Sequence, residues 1–88
     1  MHLTRVVLAG QSRPTQPQAE IVLDALWAHL GPGHGVEHIT ATAAPHGIVL
    51  AVFLRHEVTG SDEDVGKLID TISANSPALH RWRRAVPH

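Results

Sequence analysis

The sequence predicts one small α+β domain, and three observations lead to that prediction. The chain has 88 residues, a length that suits a single hydrophobic core. One continuously apolar run, Ile48–Leu54, is typical of a strand that is buried on both faces. Two segments with apolar residues at helical spacing lie on either side of it, at about residues 15–30 and 61–75.

The N-terminal part predicts a strand followed by a sharply delimited helix. Leu3–Ala9 is rich in β-forming residues and apolar on both alternating faces, which indicates an interior strand. The helix begins at Thr15, whose spacing from Gln18 matches a capping box, and Pro17 suits its first turn. Gly31–Gly33 ends it. The predicted apolar stripe comprises Ile21, Val22, Ala25, Leu26 and a packed or boundary His29.

The middle of the chain predicts a β-hairpin. Residues 36–42 alternate between apolar and polar side chains, with Ile39, Ala41 and Ala43 on the apolar face. Residues 44–47 read as a tight turn, because they combine proline and glycine. Ile48–Leu54 then supplies the second strand, which we expect at the centre of the sheet.

A second helix is predicted to begin at Ser61 and to end at Asn75–Pro77. Its apolar stripe is Val65, Leu68, Ile69 and Ile72. Gly66 lies inside it at a cost of roughly 1 kcal/mol relative to alanine. Residues 78–88 fit a strand or a short helix equally well.

The predicted element order is β-α-β-β-α followed by this tail. A helical tail leaves three strands and an exposed edge, whereas a strand gives βαββαβ, the ferredoxin-like arrangement. We predict the ferredoxin-like arrangement, an antiparallel sheet with two helices on one face. Residues 1–76 form the core domain in this interpretation, and residues 77–88 form a basic tail packed on it.

Composition argues against several classes of protein. The formal net charge of −1 gives no general case for nucleic-acid or membrane affinity. The longest apolar run has seven residues, far short of the ~20 of a bilayer-spanning helix. The N-terminal apolar run is also too short for a signal peptide. The absence of cysteine suits a reducing compartment, so we expect a soluble cytoplasmic protein.

No catalytic, metal or cofactor site is predicted. A metal site needs three or four converging ligands, and the eight histidines are scattered. The serines occupy turn or cap positions, and no nucleophile motif surrounds them. His56 and Glu57 are adjacent at a strand end and therefore point to opposite faces. The glycine-rich residues 31–35 follow a helix and lack the lysine of a phosphate loop.

The C-terminal tail is the cluster with the clearest binding character. Its predicted partner-binding residues are His80, Arg81, Trp82, Arg83 and Arg84. Tryptophan and arginine are enriched at interaction hot spots. The alternative is structural: Trp82 covers the core, and the arginines are solvated or pair with Asp62, Glu63, Asp64 and Asp70. RNA binding is disfavoured, because the chain has no tyrosine and one phenylalanine for base stacking.

These observations favour a non-catalytic interaction or oligomerisation module. We expect it to bind itself, as a homodimer or higher oligomer, or another protein, through its sheet face or edge and the Arg/Trp tail. If helices cover one side of the sheet, one set of side chains on Ile48–Leu54 must bury against something else. The alternative is a small dimeric enzyme or small-molecule-binding protein with a pocket between sheet and helices, lined by Thr4, His38, Thr40 and His56.

Overall fold

The computed structural model describes residues 2–55 and 62–85 and contains a four-stranded antiparallel sheet and two α-helices. The elements are β1 (His2–Ala9), α1 (Gln16–His29), β2 (Val36–Ala44), β3 (Gly47–Leu54), α2 (Asp62–Asn75) and β4 (Arg83–Arg84), with 3-10 turns at Pro32–His34 and Pro77–Leu79. The strand order is β2-β3-β1-β4, and every neighbouring pair is antiparallel. The predictions of an α+β fold, an antiparallel sheet and two helices are confirmed.

One face of the sheet is packed against both helices, and we call it the covered face. Strand register places the following side chains on it: Thr4, Val6, Leu8, Ile39, Ile48, Leu50, Val52 and Leu54. All of these are buried, and Val36, Ala41 and Ala43 on the same face are half-buried against the same cluster. The buried helix residues belong to the same apolar cluster: Ala19, Val22 and Leu26 of α1, and Val65, Ile69 and Ile72 of α2.

Helix α1 begins and ends as predicted. The Gln18 backbone N–H donates to Thr15 Oγ1 at 3.3 Å, and the Thr15 N–H donates to Gln18 Oε1 at 2.9 Å, which completes the capping box. The predicted stripe is wrong at two positions, because Ile21 is 57% exposed and His29 is also exposed. Adjacent residues are about 100° apart on a helix, so a buried Val22 turns Ile21 toward solvent.

The predicted hairpin of β2 and β3 is also present. The turn between them lies at residues 45–46, and Gly47 opens β3. A Cβ at Gly47 would lie 2.5 Å from the Leu8 carbonyl oxygen of β1, so this close strand approach requires glycine. The register shifts between Val36 and His38, and this bulge turns His38 to the opposite face from Val36.

Helix α2 follows the predicted stripe and ends at Asn75, while its predicted first residue, Ser61, lies outside the described residues. The structure explains the glycine inside this helix. A Cβ at Gly66 would overlap the Arg84 guanidinium, which lies across the helix and reaches Asp70 at 2.9 Å (Nη2 to Oδ2). The glycine therefore makes room for a side chain from β4.

In residues 77–85 the tail combines a 3-10 turn with a two-residue strand, so neither the strand nor the helix alternative describes all of this part; residues 86–88 lie outside the described residues. Leu79 and Trp82 contribute to the buried cluster, and β4 pairs with the end of β1 through Arg84↔Leu8 and Arg83↔Ala9. Within residues 2–55 and 62–85, no helix is long and apolar enough to cross a membrane.

Candidate interaction surface

The other side of the sheet, which we call the open face, carries three cross-strand rows of side chains. The rows, read from β1 through β3 to β2, are Leu3–Phe53–His38, Arg5–Ala51–Thr40 and Val7–Val49–Thr42. These nine residues follow from the same register that places their neighbours on the covered face. The open face is therefore a direct consequence of the strand pairing.

The centre of the open face is apolar and only partly covered. Val7, Val49, Ala51 and Phe53 are half-buried, and Leu3 is 42% exposed. Neither described helix lies over these side chains, because the buried helix residues cluster with the covered face. Their remaining surface is available to another molecule.

The border of the open face is polar. His38, Thr40 and Thr42 are exposed along β2, and Arg5 is exposed on β1. The rings of His38 and Phe53 are 5.8 Å apart between centroids and tilted by 39°. No carboxylate occurs in the three rows. An apolar centre with a polar border is the usual composition of a protein interface.

The β2 edge of the sheet is partly occupied by a side chain from α1. Gln16 Nε2 donates to the Ala41 carbonyl oxygen at 3.1 Å, and the Ala43 N–H donates to Gln16 Oε1 at 3.0 Å. The Gln16 side-chain amide thus makes the pair of hydrogen bonds that the backbone of an added strand would make at this point of the edge. A partner that paired with this part of the edge would have to displace Gln16, which disfavours strand addition here.

The five predicted partner-binding residues lie in different environments. Trp82 is only 6% exposed and belongs to the core cluster, and Arg84 pairs with Asp70. Both contacts match the structural alternative given above, in which Trp82 covers the core and an arginine pairs with Asp70. The other three residues, His80, Arg81 and Arg83, are exposed and lie together at the end of the sheet.

These exposed residues border a groove of about 700 Å³ between the β1–α1 loop and the tail. Its lining comprises Ala9, Gly10, Gln11, Ser12, Gln18, His80, Arg81, Trp82 and Arg83. Gly10 permits this arrangement, because a Cβ there would lie 2.8 Å from the Trp82 ring. The sequence analysis predicted the cationic side of the groove but not its polar side. Gln11 and Ser12, two polar residues directly after a predicted strand, could have indicated that side.

The residues predicted for the alternative pocket are not brought together by the fold. Thr4 is buried on the covered face, whereas His38 and Thr40 lie exposed on the open face. His56 lies outside the described residues. The part of the chain that the structure describes also holds no group of three or more His, Cys, Asp or Glu residues that could bind a metal ion.

Comparisons with known proteins add no relative to this description. No family model matches the chain, and neither a curated protein nor a solved structure matches it. The open face and the groove are therefore the features from which a function is inferred.

Proposed function

We propose that this protein is a small non-catalytic self-association module, in which the open face of one copy packs against the open face of a second. The observation that carries the proposal is the apolar column Val49, Ala51 and Phe53 at the centre of that face, which is half-buried and which neither described helix covers. A contiguous apolar surface of this kind marks an interaction site more often than a scatter of single exposed residues does.

The proposal includes a ferredoxin-like arrangement of the domain. The order β2-β3-β1-β4 with antiparallel neighbours supports it, as does the chain order β-α-β-β-α-β. Both helices share one buried cluster with the covered face. A sheet of this arrangement has one uncovered face, which is then the natural place for sheet-to-sheet packing.

A second copy is the favoured occupant because the open face is chemically suited to itself. The side chains at its centre are uncharged, so the partner surface needs no complementary charge there. Ala51 has a smaller side chain than Val49 and Phe53 on either side of it, which would leave room for a side chain of a facing sheet. A two-fold pairing buries the same patch on both copies. The Gln16 contacts meanwhile disfavour strand addition at the β2 edge.

The size of the patch sets the expected strength of the contact. Strands spaced about 4.8 Å apart and rising about 3.4 Å per residue give the three rows an area of roughly 300 Å². A stable interface buries about 800 Å² per partner. The rows alone therefore support a weak, concentration-dependent dimer. In this proposal the exposed His80, Arg81 and Arg83 extend the interface, or bind another protein, beside the buried Trp82.

We also propose that the module acts in the cytoplasm. Its 88 residues contain no cysteine, so the fold does not use the disulfides that commonly stabilise small secreted domains.

Sedimentation equilibrium over a range of protein concentrations tests the proposal. The wild type should show a monomer–dimer equilibrium. Ala51→Glu places a carboxylate at the centre of the open face and should weaken association at least about ten-fold, because its burial costs more desolvation free energy than pairing with Arg5 of the same row returns. Ala28→Glu makes the same change at an exposed position of α1 and should leave association unchanged.

The proposal fails if the wild type stays monomeric up to about 1 mM, a concentration that corresponds to a binding free energy of only about −4 kcal/mol. It fails equally if Ala51→Glu associates as the wild type does. Circular dichroism of both variants verifies that the fold is intact in each sample.

A further inference from the structure

The geometry points to a second site: the groove between the β1–α1 loop and the tail binds a small organic oxyanion, a carboxylate or phosphate on a compact apolar body. This site lies at the end of the sheet, outside the three rows of the open face. It does not depend on self-association, because one copy supplies all of its lining, and it assigns Arg81 and Arg83 to an anion in place of a protein partner.

The three arginines of the tail are in different states, and this difference identifies the binding groups. Arg84 is held by Asp70 and packs over Gly66. Arg81 and Arg83 are exposed, and within residues 2–55 and 62–85 no carboxylate pairs with them. A guanidinium offers a planar fork of donors that matches a carboxylate or a phosphate. Two such groups at one groove therefore favour an anion.

The opposite side of the groove offers uncharged hydrogen-bonding groups. Ser12 and Gln11 line it from the loop, and Gln18 lines it from the first turn of α1. Gln18 Oε1 already accepts a hydrogen bond from the Thr15 N–H, so its amide Nε2 is the end that can donate to a ligand. Among the residues that the structure describes, no acidic one belongs to the lining. An oxyanion thus meets donors on both sides.

The floor and the volume limit what is attached to the oxyanion. Trp82 and Ala9 give the groove an apolar part, and Gly10 keeps the Trp82 ring close beneath the loop. The volume of about 700 Å³ falls within the ~300–1,000 Å³ of small-molecule sites. A small aromatic or aliphatic body against Ala9 and the exposed edge of Trp82, with its charge near Arg81 and Arg83, uses both parts of the lining.

Intrinsic fluorescence provides a direct test, because Trp82 lines the groove. The chain has two tryptophans, so Trp27→Phe leaves Trp82 as the reporter. Benzoate and phenyl phosphate are titrated separately at constant ionic strength, to distinguish a carboxylate from a phosphate. Benzamide serves as the neutral analogue. Urea midpoints of all variants show whether each one is folded.

We expect saturable quenching or a spectral shift with benzoate or phenyl phosphate and at least about ten-fold weaker binding of benzamide. Arg81→Gln should weaken anion binding by about ten-fold, the usual scale of one lost charge-assisted hydrogen bond. Arg13→Gln removes the same charge from the neighbouring loop outside the lining and should leave binding unchanged.

Three outcomes would overturn the inference. They are no saturable response to either anion, equal binding of benzamide, and an equal loss of binding in Arg13→Gln and Arg81→Gln. The last outcome would assign the response to the general positive charge of the surface. Arg83→Gln, judged by the same criteria, provides a second variant should Arg81→Gln prove unfolded.

Discussion

The covered face and the open face of β3 have similar side chains and very different surroundings. Ile48 and Leu50 are 0% exposed, and Val52 and Leu54 are at most 2% exposed. Val49, Ala51 and Phe53, which alternate with them, are only half-buried. The difference arises from topology, since both helices share a buried cluster with the covered face. The apolar open face is therefore not explained by the monomer core, and the proposed association would explain it.

The largest expected difference in the free energy of unfolding is between two single variants, one that truncates a side chain on the covered face and one that truncates a side chain on the open face. Leu50→Ala should lower the free energy of unfolding by about 2–5 kcal/mol at any protein concentration, because it leaves a cavity beneath the helices. Val49→Ala should cost less than about 1 kcal/mol at low concentration, since the side chain is only half-buried there. Its effect should grow with concentration if the proposed dimer forms, because that dimer would bury Val49 further.

Urea unfolding at several protein concentrations measures both variants against the wild type. Equal decreases in the free energy of unfolding for the two variants at low protein concentration would show that the two faces are equally buried in the monomer. An effect of Val49→Ala that does not change with concentration would remove the link between this face and association.

A smaller change in the free energy of unfolding is expected at the contact between α2 and β4. Gly66→Ala gains about 1 kcal/mol of helix propensity. It also displaces the Arg84 guanidinium and its contact with Asp70, so we expect a net loss of about 1–2 kcal/mol in the free energy of unfolding. Gly31→Ala is the matched control, because a Cβ at Gly31 meets nothing within 4 Å.

Thermal and urea denaturation of the two glycine variants separate these contributions. A Gly66→Ala protein that is more stable than the wild type would mean that Arg84 moves aside at no cost. The close packing of β4 on α2 would then contribute little to stability.

Much of the fold could be predicted from local patterns. The capping box of Thr15 and Gln18, the alternation along β2 and the continuous apolar run of β3 each depend on residues a few positions apart. The errors at Ile21 and His29 have a different origin. Helix α1 carries apolar residues on most sides, so the sequence does not specify which of them faces the sheet.

The features of the candidate sites that sequence reasoning missed all depend on distant contacts. Gln16 bonds to backbone groups 25 and 27 positions away, and Gly66 is matched to Arg84. The groove joins the loop after β1 to the tail, about 70 positions later in the chain. The sequence predicts Arg81 and Arg83 as partner-binding residues, and this stays a prediction; only the fold places them at one groove with Gln11, Ser12 and Gln18.

Paramagnetic relaxation between copies tests the self-association proposal most directly. The sequence has no cysteine, so Thr42→Cys on the open face accepts a single spin label. The spin-labelled Thr42→Cys protein is prepared at natural isotope abundance. It is then mixed with ¹⁵N-labelled wild type, so that only the wild-type amide signals are observed. We predict broadening of the Val49, Ala51 and Phe53 amide signals that increases with concentration. No broadening, or broadening centred on the exposed side of α1, would contradict packing of one open face on another.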